Sequence, residues 1–175
     1  AQAFSNLALL GPEPIIIPQH HILLRKGIRA AGSPLLVTGP GTGLGVAALL
    51  PSSSGPMVIE GEGGHVSYAP RDENERNVLA ALAAEFGHVS AERVVSGPGL
   101  EAIYQIKNDA KLAAPEIGAG AIAGDTKCLR SVNLMLKSFA TVVANAALSF
   151  GAGSGIVIAG GVVPRLRDLL DQSGF

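Results

Sequence analysis

Pro34-Leu35-Leu36-Val37-Thr38-Gly39-Pro40-Gly41-Thr42-Gly43-Leu44-Gly45-Val46-Ala47-Ala48-Leu49-Leu50 carries the clearest structural signal in the chain. Two short apolar runs, 34–38 and 46–50, flank a segment in which every second residue is glycine. Apolar runs of this length, bounded by turn residues, predict buried strands. Ser52 to Pro56 predicts a turn and Met57-Val58-Ile59 a third short strand, so an antiparallel meander is expected here. Upstream, Gly11-Pro12-Glu13-Pro14 is a breaker cluster and Ile15-Ile16-Ile17 a possible strand. Downstream the pattern becomes helical. Val78, Leu79, Leu82 and Phe86 recur at helical spacing over Glu73–Phe86, and Gly87 is a stop signal. Ser90 to Arg93 opens a short element, Gly97-Pro98-Gly99 is read as a break, and helix is expected over Leu100–Lys107 and weakly over Ile117–Gly124. The clearest helix runs from about Asp125 to Phe150. Its polar residues Asn133, Lys137, Thr141, Asn145 and Ser149 form one narrow stripe, which predicts a helix in the middle of a core. Gly155 to Ala159 then reads as a buried strand, Gly160-Gly161 as a turn, and Pro164 as the start of a last helix. Strands followed by helices and a final βα unit predict a layered α/β fold.

The 175 residues suit one compact domain or one lobe of a larger enzyme. With 47% hydrophobic residues and a net charge of -1, intrinsic disorder is excluded. The near-neutral charge also argues against nucleic acid as a partner, because no basic field collects phosphates. A single cysteine, Cys128, excludes an internal disulfide framework and a multi-cysteine zinc site. No basic-then-apolar leader is evident, and polar residues interrupt the most apolar stretch, so no membrane segment and a cytoplasmic setting are expected. The first residue is Ala1, which reads as processing or truncation.

Four segments can carry chemistry. In Gly39–Gly45, alternate glycines let backbone N–H groups approach an anion, and Thr42 adds a hydroxyl donor. No Gly-Lys-Ser/Thr follows, so this is not a Walker A loop. A G-x-G-x-x-A pattern at Gly43–Ala48 lacks the helix that a dinucleotide site requires. The plain alternative is a structural glycine hairpin. In Glu60-Gly61-Glu62-Gly63-Gly64-His65, a carboxylate and an imidazole three apart can converge on one small polar ligand, against an ordinary loop histidine and an exposed acid. These side chains make a poor metal site. Glu92 lies near the start of a helical element, where spacing alone supports a cap or a surface ion pair. His88 reads as a linker residue, and His20 and His21 receive no role. In Ile158–Pro164, a strand running into Gly160-Gly161 lets a flat ring sit against backbone, or is a simple tight turn. No Gly-x-Ser-x-Gly elbow occurs and Cys128 is read as mid-helix, so a nucleophilic hydrolase has no support.

Taken together, GPGTGLGVAAL (39–49), GEGGHVSYAP (61–70), GHVSAERVVSGPGLEAIY (87–104) and IAGGVVPR (158–165) resemble the bacterial glucokinases of the actin-like sugar kinase superfamily. The resemblance implies a ribonuclease H-like (actin-like ATPase) α/β lobe, a mixed sheet flanked by helices. Residues 1–175 would be a single domain, the large C-terminal lobe, with the N-terminal lobe and the extreme C-terminus absent. It implies an ATP-dependent kinase that uses Mg2+ and phosphorylates D-glucose to glucose 6-phosphate, with a homodimeric parent protein. Glu62, His65 and Glu92 would bind the sugar hydroxyls. Gly41, Thr42 and Gly43 would meet the ATP phosphates, and Gly160 and Gly161 would flank the adenosine.

Two departures from the family pattern bear on activity. Nothing here matches the family's Asp-x-Gly-Gly-Thr phosphate loop. Ala3, in Gln2-Ala3-Phe4, falls where the family's catalytic aspartate stands, and alanine cannot take a proton from a sugar hydroxyl. The chain alone is therefore expected to be inactive. Ser67 also replaces a common aspartate. A non-catalytic sugar or nucleotide sensor and a kinase for another hexose are the alternatives. The sensor reading is weakened because related repressors carry a cysteine-rich motif beside the histidine.

Overall fold

A computed structural model describes residues 22–175. Ala3, the Ile15-Ile16-Ile17 run, His20 and His21 lie outside the described residues. A four-stranded mixed sheet with helices against it is built from β1 (Leu35–Pro40), β2 (Leu44–Leu50), β3 (Met57–Gly61) and β4 (Gly155–Ile158), in the order β3-β2-β1-β4. β1 to β3 form the expected antiparallel meander, and β4 returns parallel to β1. β1 and β2 run further into the glycine segment than the apolar pattern indicates. Pro40 pairs with Leu44, so only residues 41–43 form the turn. β1 is central and buried: Leu36, Val37 and Thr38 are almost fully enclosed. The Thr38 hydroxyl, which would otherwise be an unpaired polar group in the sheet, donates to the Gly45 carbonyl at 2.8 Å.

Helix α1 spans Glu73–Phe86, as the pattern predicts. Asp72 caps it by accepting from the Glu75 N–H, and two glutamates in its first turn suit the positive end of the helix. Helix α2 spans Gly97–Asn108 and corrects the reading of Gly97-Pro98-Gly99 as a break. The Ser96 side chain accepts from the Gly99 N–H, and proline in a first turn lacks only a donor that has no helical partner there. Helix α3 spans Ala114–Ile122 and α4 spans Thr126–Phe150. Asp125 caps α4 through the Cys128 N–H at 2.8 Å, so Cys128 lies in the first turn rather than mid-helix. Residues 163–172, expected as a helix starting near Pro164, form a 3-10 run.

The core lies where α2, α3 and α4 pack together. Leu100, Ile103, Ile117, Met135, Leu136 and Phe139 are fully buried there, and the Phe139 ring stacks on Phe175 with centroids 5.5 Å apart. By length and composition α4 is apolar enough to cross a membrane. Here half of its most apolar window is buried within the fold, as in a core helix. Burial fades toward its end, where Ala144, Asn145, Leu148 and Ser149 are exposed, so only the first two-thirds sits in the core.

A polar cluster joins α1 to α4. The Tyr68 hydroxyl lies 2.8 Å from the Ser138 hydroxyl, which donates to Oε1 of the buried Glu75 at 3.4 Å, and Oε2 of Glu75 accepts from the Arg71 N–H. One proton per hydroxyl gives a single consistent chain, from Tyr68 through Ser138 to the carboxylate. Burial pushes the Tyr68 phenol above its ordinary range. At the edge of the cluster Lys137, from the predicted polar stripe, pairs with Asp72 and holds its carboxyl below the usual carboxylate range.

Truncating Phe139 to alanine removes a fully buried ring. It is expected to cost about 3–5 kcal/mol in urea unfolding. The Asp72 carboxyl, depressed in the fold, stabilises above its unfolded value and loses that contribution as pH falls through its folded value. The melting temperature should therefore drop on acidification below about pH 4. Asp72→Asn keeps the cap but not the charge, and should flatten that part of the profile; an unchanged slope would contradict the assignment.

Candidate functional site

A cleft of about 290 Å³ opens at the end of the sheet where the 41–43 turn, the end of β3 and the start of the Gly160 turn converge. Gly41, Thr42, Gly43, Glu62, Glu92 and Gly160 all line it, so most of the predicted site residues meet in one place. His65 is absent from this cleft. It lines an adjoining one of about 340 Å³ that shares Thr42 and Glu92. Gly161 follows Gly160 in the turn and faces open space. Gly160 itself has φ of +87°, and a Cβ there would come within 2.4 Å of the Pro40 carbonyl oxygen, so glycine is required.

Two 3-10 turns carry the polar side chains. Glu62 precedes the turn Gly63–His65, and the turn Ala91–Arg93 carries Glu92. Residues 66–68 run beside 89–91: Ala91 N–H donates to the Val66 carbonyl at 2.8 Å and Tyr68 N–H to the Val89 carbonyl at 2.9 Å. This short bridge fixes the two turns against each other. Sequence context alone gives His88 only a linker role. In the structure its Nε2 lies 3.3 Å from the Ser67 hydroxyl, adding a side-chain tie to the same bridge. The first turn is also pressed onto the sheet: Gly64 is buried, and a Cβ there would lie 2.2 Å from the Leu44 carbonyl oxygen.

Glu62 and His65 are mostly exposed, and His65 Nε2 lies 3.7 Å from Glu62 Oε2. Both are open to a ligand. Glu92 is half-buried and behaves differently from the expected cap or surface ion pair. Its Oε2 accepts from the Leu44 N–H at 2.8 Å, 48 residues away. In the turn between β1 and β2, Gly41 N–H donates to the Gly43 carbonyl at 2.7 Å. Among the described residues the N–H groups of Thr42 and Gly43 meet no acceptor, and the exposed Thr42 hydroxyl makes no hydrogen bond. Two unclaimed N–H donors and a hydroxyl beside a cleft suit an anionic oxygen ligand.

Glu60, part of the Glu60–His65 motif, also lines the cleft. Its place near the end of β3, opposite Ala47 of β2, follows from strand pairing that no local pattern reveals. Cys128 is buried, and burial together with the neighbouring Asp125 carboxylate raises its thiol above the ordinary value, so it stays protonated and unreactive. Among the described residues no three His, Cys, Asp or Glu side chains converge to hold a metal ion.

The comparisons with known proteins agree with this architecture. A family model described as Glucokinase matches residues 13–175. A curated glucokinase of Chromobacterium violaceum is 37% identical over 180 residues, spanning 98% of this chain and 51% of that protein. One from Klebsiella pneumoniae is 41% identical over 169 residues, spanning 93% of this chain and 53% of that protein. The chain therefore spans about half the length of the curated relatives it matches. The crystal structure of a glucokinase from an Antarctic psychrotroph matches with a TM-score of 0.79 and 32% identity, over 86% of this chain and 49% of that one. The fold is that of the actin-like sugar kinases, as the four motifs imply. Similarity of this extent runs through the sheet, both clamped turns and the helices behind them, and the chain belongs to the glucokinase family.

Proposed function

We propose that this chain is the large lobe of an ATP-dependent glucokinase that converts D-glucose to glucose 6-phosphate. The observation that carries the reading is the single cleft in which two carboxylates on clamped turns face a glycine turn with unclaimed N–H donors. Glu62 and Glu92 accept hydrogen bonds from sugar hydroxyls, and His65 adds a donor or acceptor from the adjoining cleft. The N–H groups of Thr42 and Gly43 and the Thr42 hydroxyl meet the phosphates of ATP. Gly161, which faces open space, leaves room for the adenosine against backbone, and Gly160 packs on Pro40 to set the turn that presents it. Phosphoryl transfer depends mostly on such placement and on neutralising charge. The described residues offer no cage for Mg2+, which in kinases is held largely by nucleotide phosphates. The parent protein is a cytoplasmic homodimer in this reading.

The proton of the sugar 6-hydroxyl needs an acceptor, and Ala3 stands at the position of the family's base. The 175 residues also contain no Asp-x-Gly-Gly-Thr segment. The chain alone should therefore bind but not turn over. In a coupled assay it is expected to give no glucose 6-phosphate above background; substantial product would contradict the role given to position 3.

Binding is the direct test. Calorimetric titration of the folded chain should show D-glucose binding in preference to D-galactose. Glu62→Gln or Glu92→Gln should weaken it by roughly tenfold or more, since each loses a charged hydrogen-bond acceptor. Equal affinity for both sugars, or no effect of either variant, would overturn the assignment of these side chains.

A further inference from the structure

We propose that the Gly41–Leu44 turn positions the carboxylate of Glu92, so that sugar and nucleotide affinities are coupled through the Leu44 N–H. The inference rests on the reading of the cleft given above and goes beyond it by assigning the turn a second task. The first observation is the 2.8 Å hydrogen bond from the Leu44 N–H to Glu92 Oε2. The second concerns Gly43. Its φ is one that any L-residue adopts, so the backbone does not demand glycine there. What excludes a side chain is Glu92 itself: a Cβ on Gly43 would lie 2.5 Å from Oε2 and 3.1 Å from Cδ. A glycine that sequence alone assigns to phosphate approach is thus explained by the seat of a carboxylate.

A third contact makes the coupling mechanical. Gly97 N–H, at the start of α2, donates to the Gly41 carbonyl at 2.8 Å. The turn is therefore tied to the segment 92–97 at two points, one at each end of the turn. A phosphate drawn to the N–H groups of Thr42 and Gly43 and a sugar drawn to Glu92 act on the same four residues. With Oε2 held by Leu44, Glu92 keeps Oε1 and its remaining lone pair for hydroxyl donors. Each ligand orders what the other needs. Linkage requires the effect to be equal in both directions. Gly43 and Leu44 are positioning residues in this scheme, acting through Glu92.

The test is calorimetry of D-glucose and of AMP-PNP, each alone and in the presence of the other, with the full chain. The wild-type chain should bind each ligand several-fold more tightly when the other is present, by the same factor. Gly43→Ala should weaken glucose binding roughly tenfold and abolish the coupling. Its melting temperature should barely change, because the atom that must yield is the end of a flexible side chain. Glu92→Asp withdraws the carboxylate by one methylene, and the double variant Gly43→Ala/Glu92→Asp should recover part of the glucose affinity lost by Gly43→Ala. A purely structural role for Gly43 predicts no such rescue. Gly43→Ala with wild-type glucose affinity, or with the coupling intact, overturns the proposal while leaving the sugar site standing. A folded wild-type chain that binds neither ligand overturns both. Hydrogen exchange at the Leu44 amide probes the bond without any ligand: it should accelerate in Glu92→Ala, and an unchanged rate would count against the contact.

Discussion

Leu44 is held from four directions, and the cleft depends on it. Its side chain is buried in the main core. Its Cα pairs with Pro40 to close the glycine turn. Its carbonyl oxygen is the surface on which Gly64 packs, and its N–H holds Glu92. One residue thus fixes the turn, the seat of the Glu62–His65 turn and the direction of the Glu92 carboxylate. Backbone groups suit this task because their positions are set by the sheet, whereas a long side chain loses rotamer freedom on being fixed.

The polar cluster between α1 and α4 supports the same region from behind. Tyr68 is part of the bridge that clamps the two turns, and its hydroxyl leads through Ser138 to the buried Glu75. A carboxylate so enclosed is tolerated only with hydrogen bonds, and the Arg71 N–H and Ser138 supply them. The cluster therefore specifies how α1 sits on α4, and so where residues 69–71 leave the bridge. The Asp72–Lys137 pair lies at the exposed margin and contributes less.

Local signals made much of the fold legible. The alternation of apolar runs and glycines located three strands of the meander, and apolar spacing with Gly87 as a stop placed α1 at its observed bounds. The break assigned at Gly97-Pro98-Gly99 failed because proline and glycine were read without Ser96, whose side chain makes them a helix start. The glycine turn, Glu62, Glu92 and Gly160 were recognised and do meet at one cleft. What joins them was not legible. The Leu44–Glu92 bond spans 48 residues and the Ser67–His88 contact spans 21, and neither has a local signature. Helix starts favour acids, which suggests a cap at Glu92, but its partner is the Leu44 N–H at the start of β2. Ala3 lies outside the described residues, so its role rests on resemblance.

The proposed seat of D-glucose lies between the two clamped turns and the glycine turn. The most direct measurement is two-dimensional amide NMR of the chain titrated with D-glucose. Shift changes are expected to concentrate at residues 41–45, 62–66 and 90–93, with the Leu44 amide among the largest. Changes centred on another face of the molecule, or none in a folded chain at millimolar sugar, would contradict it.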